Sequence, residues 1–467
     1  MPDRYDLVII GMGSGGMVAA EFAASLSLKV AVAERGRVGG DCLWTGCVPS
    51  KALLASAKIA HHMRAADEFG IDAVEPAIDR SRVWNRIRSV QQEIAGSDDD
   101  PARFEAMGIE IVAGSARLTG PSRVQVGDRT LDTRYVLLCC GSRPAVPPIP
   151  GLEDAGFVTS ETLFELDDPP ASFVSIGGGP IAVEMVQGFT RLGIPATLLQ
   201  KGPRVLPKDE PALVDRLVEM LRAERVDVRV DVHTEKVSVE NGKKVVHGTE
   251  GGKPARWAAD ELMVAVGRAP NIEGLGLDDL GIETGSTGVT VDNRGRTNVG
   301  TVYAAGDLAG RHLFTHAAAY EGVRAVRDMF FPGKGKVTAG VPWCTFTDPE
   351  LAHAGLTESE ARERHGDAIE VWHQDLSHND RARADGASAG AVMIVTHKKT
   401  IVGAHILAPA AGEMIHELAL AIEEGMKLND LAQFMHVYPT VSTSIGQLAG
   451  DAAFEKAERL RWLVRRK

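Results

Sequence analysis

Residues 5–34 read YDLVIIGMGSGGMVAAEFAASLSLKVAVAE, in which an apolar run, a glycine cluster, a helix-like segment and a second apolar run follow one another. This order predicts a β-α-β unit. Gly11, Gly13 and Gly16 form G-x-G-x-x-G directly after the first strand, and Glu34 ends the second. Glycines there let the backbone and a helix N-terminus approach a pyrophosphate, while the acid can accept hydrogen bonds from ribose hydroxyls.

A second unit, ASFVSIGGGPIAVEMVQGFTRLGIPATLLQ, repeats this plan at residues 171–200. Gly177 and Gly179 occupy the first two glycine positions, and Ala182 takes the third. The chain is therefore predicted to have an α/β fold with two doubly wound nucleotide-binding domains.

The acid position of the second unit is neutral, because Gln200 stands where Glu34 stands in the first. Lys201 and Arg204 follow it and could pair with a 2′-phosphate that a carboxylate would repel. NADPH is therefore favoured over NADH as the bound nucleotide. The alternative is a solvated turn that carries ordinary surface charges.

From about residue 340 the pattern changes to strands such as AVMIVTH and TIVGAHIL, followed by the helices AGEMIHELALAIEEG and NDLAQFM. This segment has no nucleotide fingerprint of its own, and it predicts a separate α+β domain. A proline-rich crossover after LCCGSRP marks a domain boundary near residue 148.

Composition limits the partners and the compartment. A net charge of −12 argues against a nucleic-acid or anionic-membrane surface, and the one basic cluster, the tail at residues 459–467, is interpreted as a solvated terminal helix. No apolar run is long enough to span a bilayer. The N-terminus lacks a signal-peptide pattern, and five cysteines are too few for a secreted disulfide scaffold, so a cytoplasmic protein is expected.

Cys42 and Cys47 lie in VGGDCLWTGCVPSKALL, with four residues between them and a predicted helix after them. Structural zinc needs two closely spaced ligand pairs, and the sequence has no second pair, so no metal site is predicted. A helix N-terminus would stabilise a thiolate, so the pair could cycle between disulfide and dithiol. Two buried structural cysteines would fit this spacing equally well.

The motifs GMGSGG, GGDCLWTGCVPSK, LCCGSRP, GGGPIAVE, VGRAPN, AAGD, HAAAYEG, FTDPE and YPT follow one another along nearly the whole chain. In this order the sequence resembles the pyridine nucleotide-disulfide oxidoreductases, the group of dihydrolipoamide dehydrogenase, glutathione reductase and mercuric reductase. The resemblance implies an FAD-binding domain at 1–148 and 270–338, an NAD(P)H-binding domain at 149–269, and an interface domain at 339–467 that builds a homodimer.

The resemblance also implies roles for single residues. Cys47 would lie against the flavin as the charge-transfer thiolate, and Cys42 would be the interchange thiol that faces the substrate. Lys51 and Glu184 would pair beside the flavin, where a cation stabilises negative charge on the reduced ring; an ordinary surface ion pair is the alternative. Further cofactor contacts are implied for Gly40, Asp307, Gly267 and Arg268, with Asp307 binding FAD ribityl or phosphate groups.

The other cysteines are interpreted as packing residues. Cys139 and Cys140 are adjacent, and a disulfide between neighbours strains the peptide that joins them. Cys344 is expected to be a small buried apolar side chain.

Most disulfide-reducing relatives end in H-P-T-x-x-E, where the His moves protons across the dimer and the Glu orients it. Tyr438 and Thr443 occupy these two positions here, and His436 matches a different family histidine. A phenol with a pKa near ~10 is a poor base at neutral pH, although it can donate a hydrogen bond. Losing a positioned base costs on the order of 10²–10⁴ in rate, so rapid turnover of lipoamide or glutathione disulfide is not expected. Family geometry predicts a cis Tyr438-Pro439 peptide.

The leading hypothesis is an FAD-dependent NADPH oxidoreductase that passes electrons through FAD and Cys47/Cys42 to a disulfide or thiol-bound small-molecule acceptor. A second hypothesis is a quinone reductase or a metal-ion reductase similar to mercuric reductase. The metal-ion reductase lacks the C-terminal cysteine pair of mercuric reductase, because no Cys follows Cys344. A third is a flavoprotein sensor that has lost catalysis.

Overall fold

The computed structural model describes residues 4–331, 333 and 340–459. The solvated terminal helix expected at 459–467 therefore lies almost entirely outside the described residues. The described chain forms parallel and antiparallel sheets covered by helices, and it confirms the predicted α/β fold class.

The first part of the chain builds a parallel sheet with an antiparallel extension. Its strands are β1 (Tyr5–Ile10), β2 (Val30–Glu34), β3 (Ile109–Ala113), β4 (Ala116–Gly120), β5 (Arg123–Val126) and β6 (Arg129–Leu138). The short β7 (Ser142–Pro144) follows and lies outside this sheet. Its helices are α1 (Ser14–Ser25), α2 (Gly40–Trp44), α3 (Cys47–Arg64), α4 (Arg80–Ala95) and α5 (Pro101–Ala106). β1 pairs in parallel with β2 and β6 and is buried at Leu7, Val8 and Ile9, as expected of a strand covered on both faces.

The middle part repeats this plan in a smaller parallel sheet, ordered β10-β9-β8-β14. Its strands are β8 (Phe173–Ile176), β9 (Ala196–Leu199), β10 (Asp227–Arg229), β11 (Val232–Glu240), β12 (Lys243–Glu250), β13 (Lys253–Ala259), β14 (Glu261–Val264) and β15 (Arg268–Pro270). Its helices are α6 (Leu152–Ala155), α7 (Pro180–Arg191) and α8 (Pro211–Ala223). β11, β12 and β13 form a separate antiparallel meander.

The chain then returns to the first sheet through β16 (Thr284–Gly285), β17 (Gly288–Val289), β18 (Val302–Ala304) and α9 (Thr315–Phe330). β18 pairs in parallel with β6. α9 lies so close to α1 that a Cβ on Gly322 would come 2.5 Å from the Gly15 carbonyl oxygen. This return supports a first domain that is split around the second. The residue boundaries of the two domains stay predictions.

The last part is an antiparallel sheet ordered β19-β20-β23-β22-β21, with helices packed on it. Its strands are β19 (Trp343–Thr345), β20 (Glu350–Gly355), β21 (Ile369–Asp375), β22 (Ala391–His397) and β23 (Thr400–Ala408). Its helices are α10 (Glu358–His365), α11 (Asp380–Ala384), α12 (Ala411–Glu423), α13 (Leu428–Leu431) and α14 (Thr443–Arg459). Short 3-10 helices lie at Ala66–Phe69, Leu163–Glu165, Asp278–Leu280, Gly306–Ala309 and Leu376–His378. Among the helices so described, none is long and apolar enough to cross a membrane.

Arg191, at the end of α7, joins parts of the chain that are distant in sequence. Its side chain is 4% exposed and forms ion pairs with Glu224 at 2.6 Å and with Asp348 at 2.8 Å. Lys58 of α3 also binds Asp348, at 3.2 Å. One buried guanidinium thus ties the second domain to the segment that leads into β20 and, through Asp348, to α3.

A buried aromatic and titratable cluster lies between the second domain and the last sheet. His353 and His405 are cross-strand neighbours on β20 and β23, with ring centroids 4.8 Å apart, and Trp343 stacks on His353 at 3.7 Å. Burial lowers the pKa of His353 to about 4 and that of His405 to about 3. Asp209 accepts a hydrogen bond from Trp343 and, because it is buried, has its pKa raised to about 6. Glu210 lies 3.9 Å from His405.

This cluster predicts loss of stability in mild acid. Unfolded histidines bind protons below their pKa of 6.5, whereas the buried rings stay neutral, so acidification favours unfolding. By about pH 5 each ring lowers the unfolding free energy by roughly 2 kcal/mol. Asp209 raises the unfolding free energy on acidification, because its pKa is higher in the folded state, but by less than one histidine lowers it. Thermal unfolding midpoints measured from about pH 7 to about pH 5 are expected to fall less steeply in His405→Gln than in the unaltered chain. Identical slopes would contradict the assignment.

Candidate active site

The two cysteines singled out in the sequence meet at the start of α3. Cys47 is its first residue, Cys42 lies on the preceding α2, and both are free cysteines close enough to interact. The hydroxyl of Thr315, the first residue of α9, lies 3.3 Å from the Cys47 sulfur. The N-termini of α3 and α9 therefore meet at Cys47, and partial positive charge at helix N-termini favours a thiolate.

The surroundings give the two sulfurs different acidities. The hydrogen bond from Cys42 lowers the pKa of Cys47 to about 6, helped by the Thr315 hydroxyl and the charge of Lys51. The same hydrogen bond and burial raise the pKa of Cys42. These opposite shifts favour Cys47 over Cys42 as the thiolate of the pair.

Lys51, one turn along α3, is held by two groups. Its Nζ donates to Glu184 Oε2 at 2.9 Å and lies 4.4 Å from the ring centroid of Phe346. Glu184 on α7 is buried, and its other carboxylate oxygen accepts the Phe346 backbone N–H at 2.9 Å. The structure thus brings together the predicted Lys51–Glu184 pair and adds Phe346 to it.

The first glycine cluster leaves no room for a side chain at Gly11 or Gly16. A Cβ on Gly11, where φ is +99°, would come 2.4 Å from the Cys139 carbonyl oxygen, and one on Gly16 would come 2.0 Å from the Gly11 oxygen. A Cβ on Gly40 would come 2.8 Å from the Cα of Gly13. Glu34 accepts backbone N–H groups from Met12 at 2.6 Å and from Gly36 at 2.7 Å. These positions suit close approach of a dinucleotide phosphate with an acid at its ribose.

Asp307 and Arg268 form a second polar group beside this cluster. Ser142 donates to Asp307 Oδ2 at 2.5 Å and accepts from Arg268 Nε at 2.6 Å. Burial raises the pKa of Asp307. Arg268 also pairs with Asp41, which precedes Cys42, so this network extends to the dithiol. Gly267, with φ of +139°, sets the turn that leads to Arg268.

The second glycine cluster repeats the geometry of the first. A Cβ on Gly177, where φ is +119°, would come 2.2 Å from the Ala265 carbonyl oxygen, and Gly179 begins α7 as its N-cap. Gln200 packs against Gly178 and donates to the Arg204 carbonyl oxygen at 3.1 Å.

The two cations that follow Gln200 differ in their surroundings. Lys201 is exposed, whereas the Arg204 side chain pairs with Asp215 at 2.7 Å. If Arg204 contacted a phosphate, Asp215 would already offset part of its positive charge.

One continuous cavity of about 2810 Å³ joins most of these residues. Both glycine clusters and the dithiol line it, and so do eight of the other candidate residues: Glu34, Lys51, Glu184, Gln200, Lys201, Gly267, Arg268 and Asp307. Within one chain the structure thus brings together two nucleotide cradles and a thiolate.

Tyr438 lies elsewhere in the single chain. It is 70% exposed and lines a separate cavity of about 430 Å³ with Asp380 and Thr443. Its hydroxyl donates to Asp380 Oδ2 at 3.0 Å, and the Tyr438-Pro439 peptide is cis, which confirms that prediction. His436 binds Glu417 at 3.0 Å.

The remaining cysteines show no sign of reactivity. Burial raises the pKa of Cys140 to about 12, and it also raises those of Cys139 and Cys344. Raised pKa values keep these three thiols protonated and unreactive, which agrees with packing roles. In the described ranges, no group of three or more His, Cys, Asp or Glu side chains is arranged to hold a metal ion.

Four contacts were not found from sequence. Thr315, Ser142, Phe346 and Asp380 meet their partners from distant parts of the chain, Thr315 lying 268 residues from Cys47. The motif order contained a weak signal for two of them, because Ser142 lies in LCCGSRP and Phe346 begins FTDPE.

Comparison with known proteins gives two family matches. Residues 5–322 match the family described as "Pyridine nucleotide-disulphide oxidoreductase", and residues 341–449 match its dimerisation domain.

Curated relatives and a solved structure agree with these matches. The chain is 34% identical to dihydrolipoyl dehydrogenase of Thermus scotoductus, over 95% of this chain and 96% of that protein. It is 31% identical to mercuric reductase of Bacillus cereus, over 94% of this chain and 70% of that protein. A Cu(II) complex of the HOCl-induced flavoprotein disulfide reductase RclA from Escherichia coli matches with a TM-score of 0.84 and 26% identity, covering 96% of this chain and 99% of that one.

The match to the dimerisation domain supports the predicted homodimer. The matches, the two cradles and the dithiol lead to one conclusion: the chain belongs to the class I pyridine nucleotide-disulphide oxidoreductases, flavoproteins that use FAD and a pyridine nucleotide.

Proposed function

We propose that this protein is a cytoplasmic, homodimeric oxidoreductase that passes electrons from NADPH through FAD and the Cys47/Cys42 pair to a disulfide or thiol-bound acceptor. The observation that carries the proposal is the dithiol itself: Cys47 lies beside Cys42 and Thr315, its pKa is lowered, and the pair lines the cavity that both nucleotide cradles share. We assign the first cradle, with Glu34 and Asp307, to FAD and the second to NADPH.

The residues present fit these cofactors. Gly11 and Gly16 leave no room for a Cβ in the tight turn into α1, where a pyrophosphate would approach the helix N-terminus, and Glu34 would lie beside the ribose. Bound FAD accepts an electron pair from NADPH and delivers it to the internal disulfide. Lys51, fixed by Glu184, would stabilise negative charge in the cavity next to the dithiol.

The dithiol would transfer the electron pair by exchange. The electrons break the S–S bond between Cys42 and Cys47. The Cys42 sulfur, after passing its proton to Cys47, would then attack an acceptor disulfide R–S–S–R and form a mixed disulfide, and the leaving thiolate would take that proton from Cys47 and depart as one thiol. Cys47 attacks Cys42 in turn, restores the internal disulfide and releases the second thiol. The net reaction, NADPH + H⁺ + R–S–S–R → NADP⁺ + 2 R–SH, balances atoms and electrons.

The acceptor is proposed to differ from lipoamide and glutathione disulfide, because Tyr438 and Thr443 stand where such reductases keep His and Glu. Without that base, proton transfer to the interchange thiol loses on the order of 10²–10⁴ in rate. An acceptor whose reduction needs electrons more than protons would lose less of its reduction rate.

The nucleotide preference rests on Lys201, which is exposed in the cavity next to Gln200. We expect Lys201→Ala to raise KM for NADPH about tenfold, since one charge-assisted phosphate contact is lost, and to leave KM for NADH unchanged. The measurement is steady-state NADPH and NADH oxidation with a common acceptor. Equal changes for both nucleotides would contradict a role in 2′-phosphate binding.

A metal-ion reductase is the second candidate function. Two observations favour it: the chain is 31% identical to mercuric reductases, and the similar RclA structure is a Cu(II) complex. A quinone reductase differs from both, because quinones can take electrons from reduced flavin without a cysteine.

Anaerobic oxidation of NADPH and NADH by the purified flavoprotein tests these proposals, with lipoamide, glutathione disulfide, Hg(II) in excess thiol, and a quinone as parallel acceptors. We expect slow turnover of lipoamide and glutathione disulfide. Fast turnover of either would mean that another group supplies the proton, and turnover of the quinone alone would overturn the dithiol route. A protein that reduces none of them faster than oxygen would be the flavoprotein sensor.

A further inference from the structure

The contact of Tyr438 has a defined direction. Its hydroxyl is the donor and Asp380 Oδ2 is the acceptor, at 3.0 Å. A phenol has one hydrogen, so while this bond is made the oxygen presents only lone pairs to anything else. The sequence suggested a phenol that can donate a hydrogen bond, and in the structure Asp380 takes that donor.

A buried asparagine fixes this contact. Asn379 has no exposed surface, its side-chain oxygen caps α11 by accepting the Ala382 N–H at 3.0 Å, and Asp380 is the first residue of that helix. Its amide nitrogen lies 2.9 Å from Ser444 Oγ and 3.2 Å from the Thr440 carbonyl oxygen. One side chain thus holds both the helix that carries Asp380 and the turn that follows Tyr438-Pro439.

Thr443 is occupied within the same turn. Its hydroxyl donates to the Thr440 carbonyl oxygen at 2.6 Å and accepts from Asn379 at 3.0 Å. The residue at the family's glutamate position therefore stabilises the turn. The carboxylate that contacts Tyr438 comes instead from α11, 58 residues earlier in the chain.

The cavity around the phenol has a negative balance. Of its lining side chains, Asp380 and Asp451 are acids, and His436 is paired with Glu417. The hydrogen bond and charge of Asp380 also raise the pKa of Tyr438. The neighbouring Arg381 is paired with Asp385 at 2.6 Å.

The surface around Tyr438 is apolar and open in the single chain. Phe434, Met435, Val437 and Phe454 are between 64% and 90% exposed. A large exposed apolar surface in a dimerisation domain indicates a subunit contact. Tyr438 therefore lies where one subunit of the homodimer can meet the other.

We propose that Asp380 is a positioning residue that holds Tyr438 as a hydrogen-bond acceptor, so that the pair favours acceptors bearing positive charge or donor groups over anionic ones. This inference rests on the proposed function, in which Tyr438 takes the position of the histidine that acts across the dimer. It narrows the acceptor class: a cationic disulfide or cationic thiol-bound species is preferred to an anionic disulfide such as glutathione disulfide.

Two disulfides of opposite charge test the proposal in the holoenzyme. Cystamine is cationic and glutathione disulfide is anionic, and both undergo the same chemistry. We expect Asp380→Asn to lower the ratio of kcat/KM for cystamine to that for glutathione disulfide about tenfold. Asp385→Asn, which neutralises a carboxylate of the same segment, is the matched control and is expected to leave the ratio unchanged. An unchanged ratio in Asp380→Asn would overturn the proposal.

A second readout does not depend on turnover. The tyrosinate absorbance of the holoenzyme is followed in stopped-flow pH jumps, and subtracting the Tyr438→Phe titration isolates Tyr438. In Asp380→Asn the Tyr438 titration is expected to move to lower pH, because the raising carboxylate is gone. If it does not move, the Asp380 contact is absent, whatever the protein reduces. If it moves but no acceptor is reduced, the contact stands and the proposed function fails.

Discussion

Cys42→Ser is expected to lower NADPH-dependent reduction of a disulfide acceptor by on the order of 10³ or more, because the sulfur that attacks the acceptor is lost. Cys47 would keep its sulfur and its contact with Thr315, so the variant should still bind FAD and react with NADPH. The measurement is kcat/KM with cystamine under anaerobic conditions, beside the rate at which NADPH bleaches the flavin absorbance.

Cys344→Ser is the control for this variant. Cys344 lines the same cavity, but the interactions with Cys42 and Thr315 that lower the pKa of Cys47 are absent there, and burial raises its own pKa. We expect it to retain turnover. If Cys42→Ser also retained turnover, electrons would leave the flavin without the dithiol, as direct transfer to a quinone would allow.

Arg191→Ala is expected to destabilise the protein by about 3–5 kcal/mol, because it leaves two largely buried carboxylates without their cation. Glu224 and Asp348 are 16% and 23% exposed, so water cannot fully replace the guanidinium. Since Asp348 leads into β20 and binds Lys58 of α3, the loss should loosen three parts of the chain together. The measurement is unfolding of the holoenzyme in denaturant, followed by flavin and tryptophan fluorescence.

An exposed ion pair supplies the comparison. Arg123 and Asp132 form a pair at 2.9 Å, with side chains 57% and 45% exposed, and such pairs contribute only about 0–1 kcal/mol. Arg123→Ala should therefore change stability little. Equal losses in the two variants would show that burial of Arg191 does not set its contribution.

The sequence predicts the nucleotide-binding parts because their chemistry is local. Gly11 and Gly177 each follow a buried strand, and in both a Cβ would strike the carbonyl oxygen of a neighbouring strand end, Cys139 or Ala265. A turn built in this way restricts its own residue types, so a short motif indicates it. The dithiol is equally local, since Cys42 and Cys47 are separated by four residues.

The rest of the site depends on long-range contacts. Thr315 reaches Cys47, and Asp380 reaches Tyr438, only because the sheets bring α9 and α11 there. Tyr438 alone predicted a hydrogen-bond donor, and only the fold supplies Asp380, the partner to which it donates. No spacing rule links positions so far apart in the chain, and so their roles follow from the folded structure.

The central claim is that NADPH reduces the Cys42–Cys47 pair. Alkylation of the oxidised flavoprotein, before and after anaerobic addition of one equivalent of NADPH per subunit, tests it by mass spectrometry of the peptides. We expect two new thiols per chain, at Cys42 and Cys47, with Cys139, Cys140 and Cys344 unchanged. A flavin that is reduced by NADPH while Cys42 and Cys47 gain no label would contradict the claim.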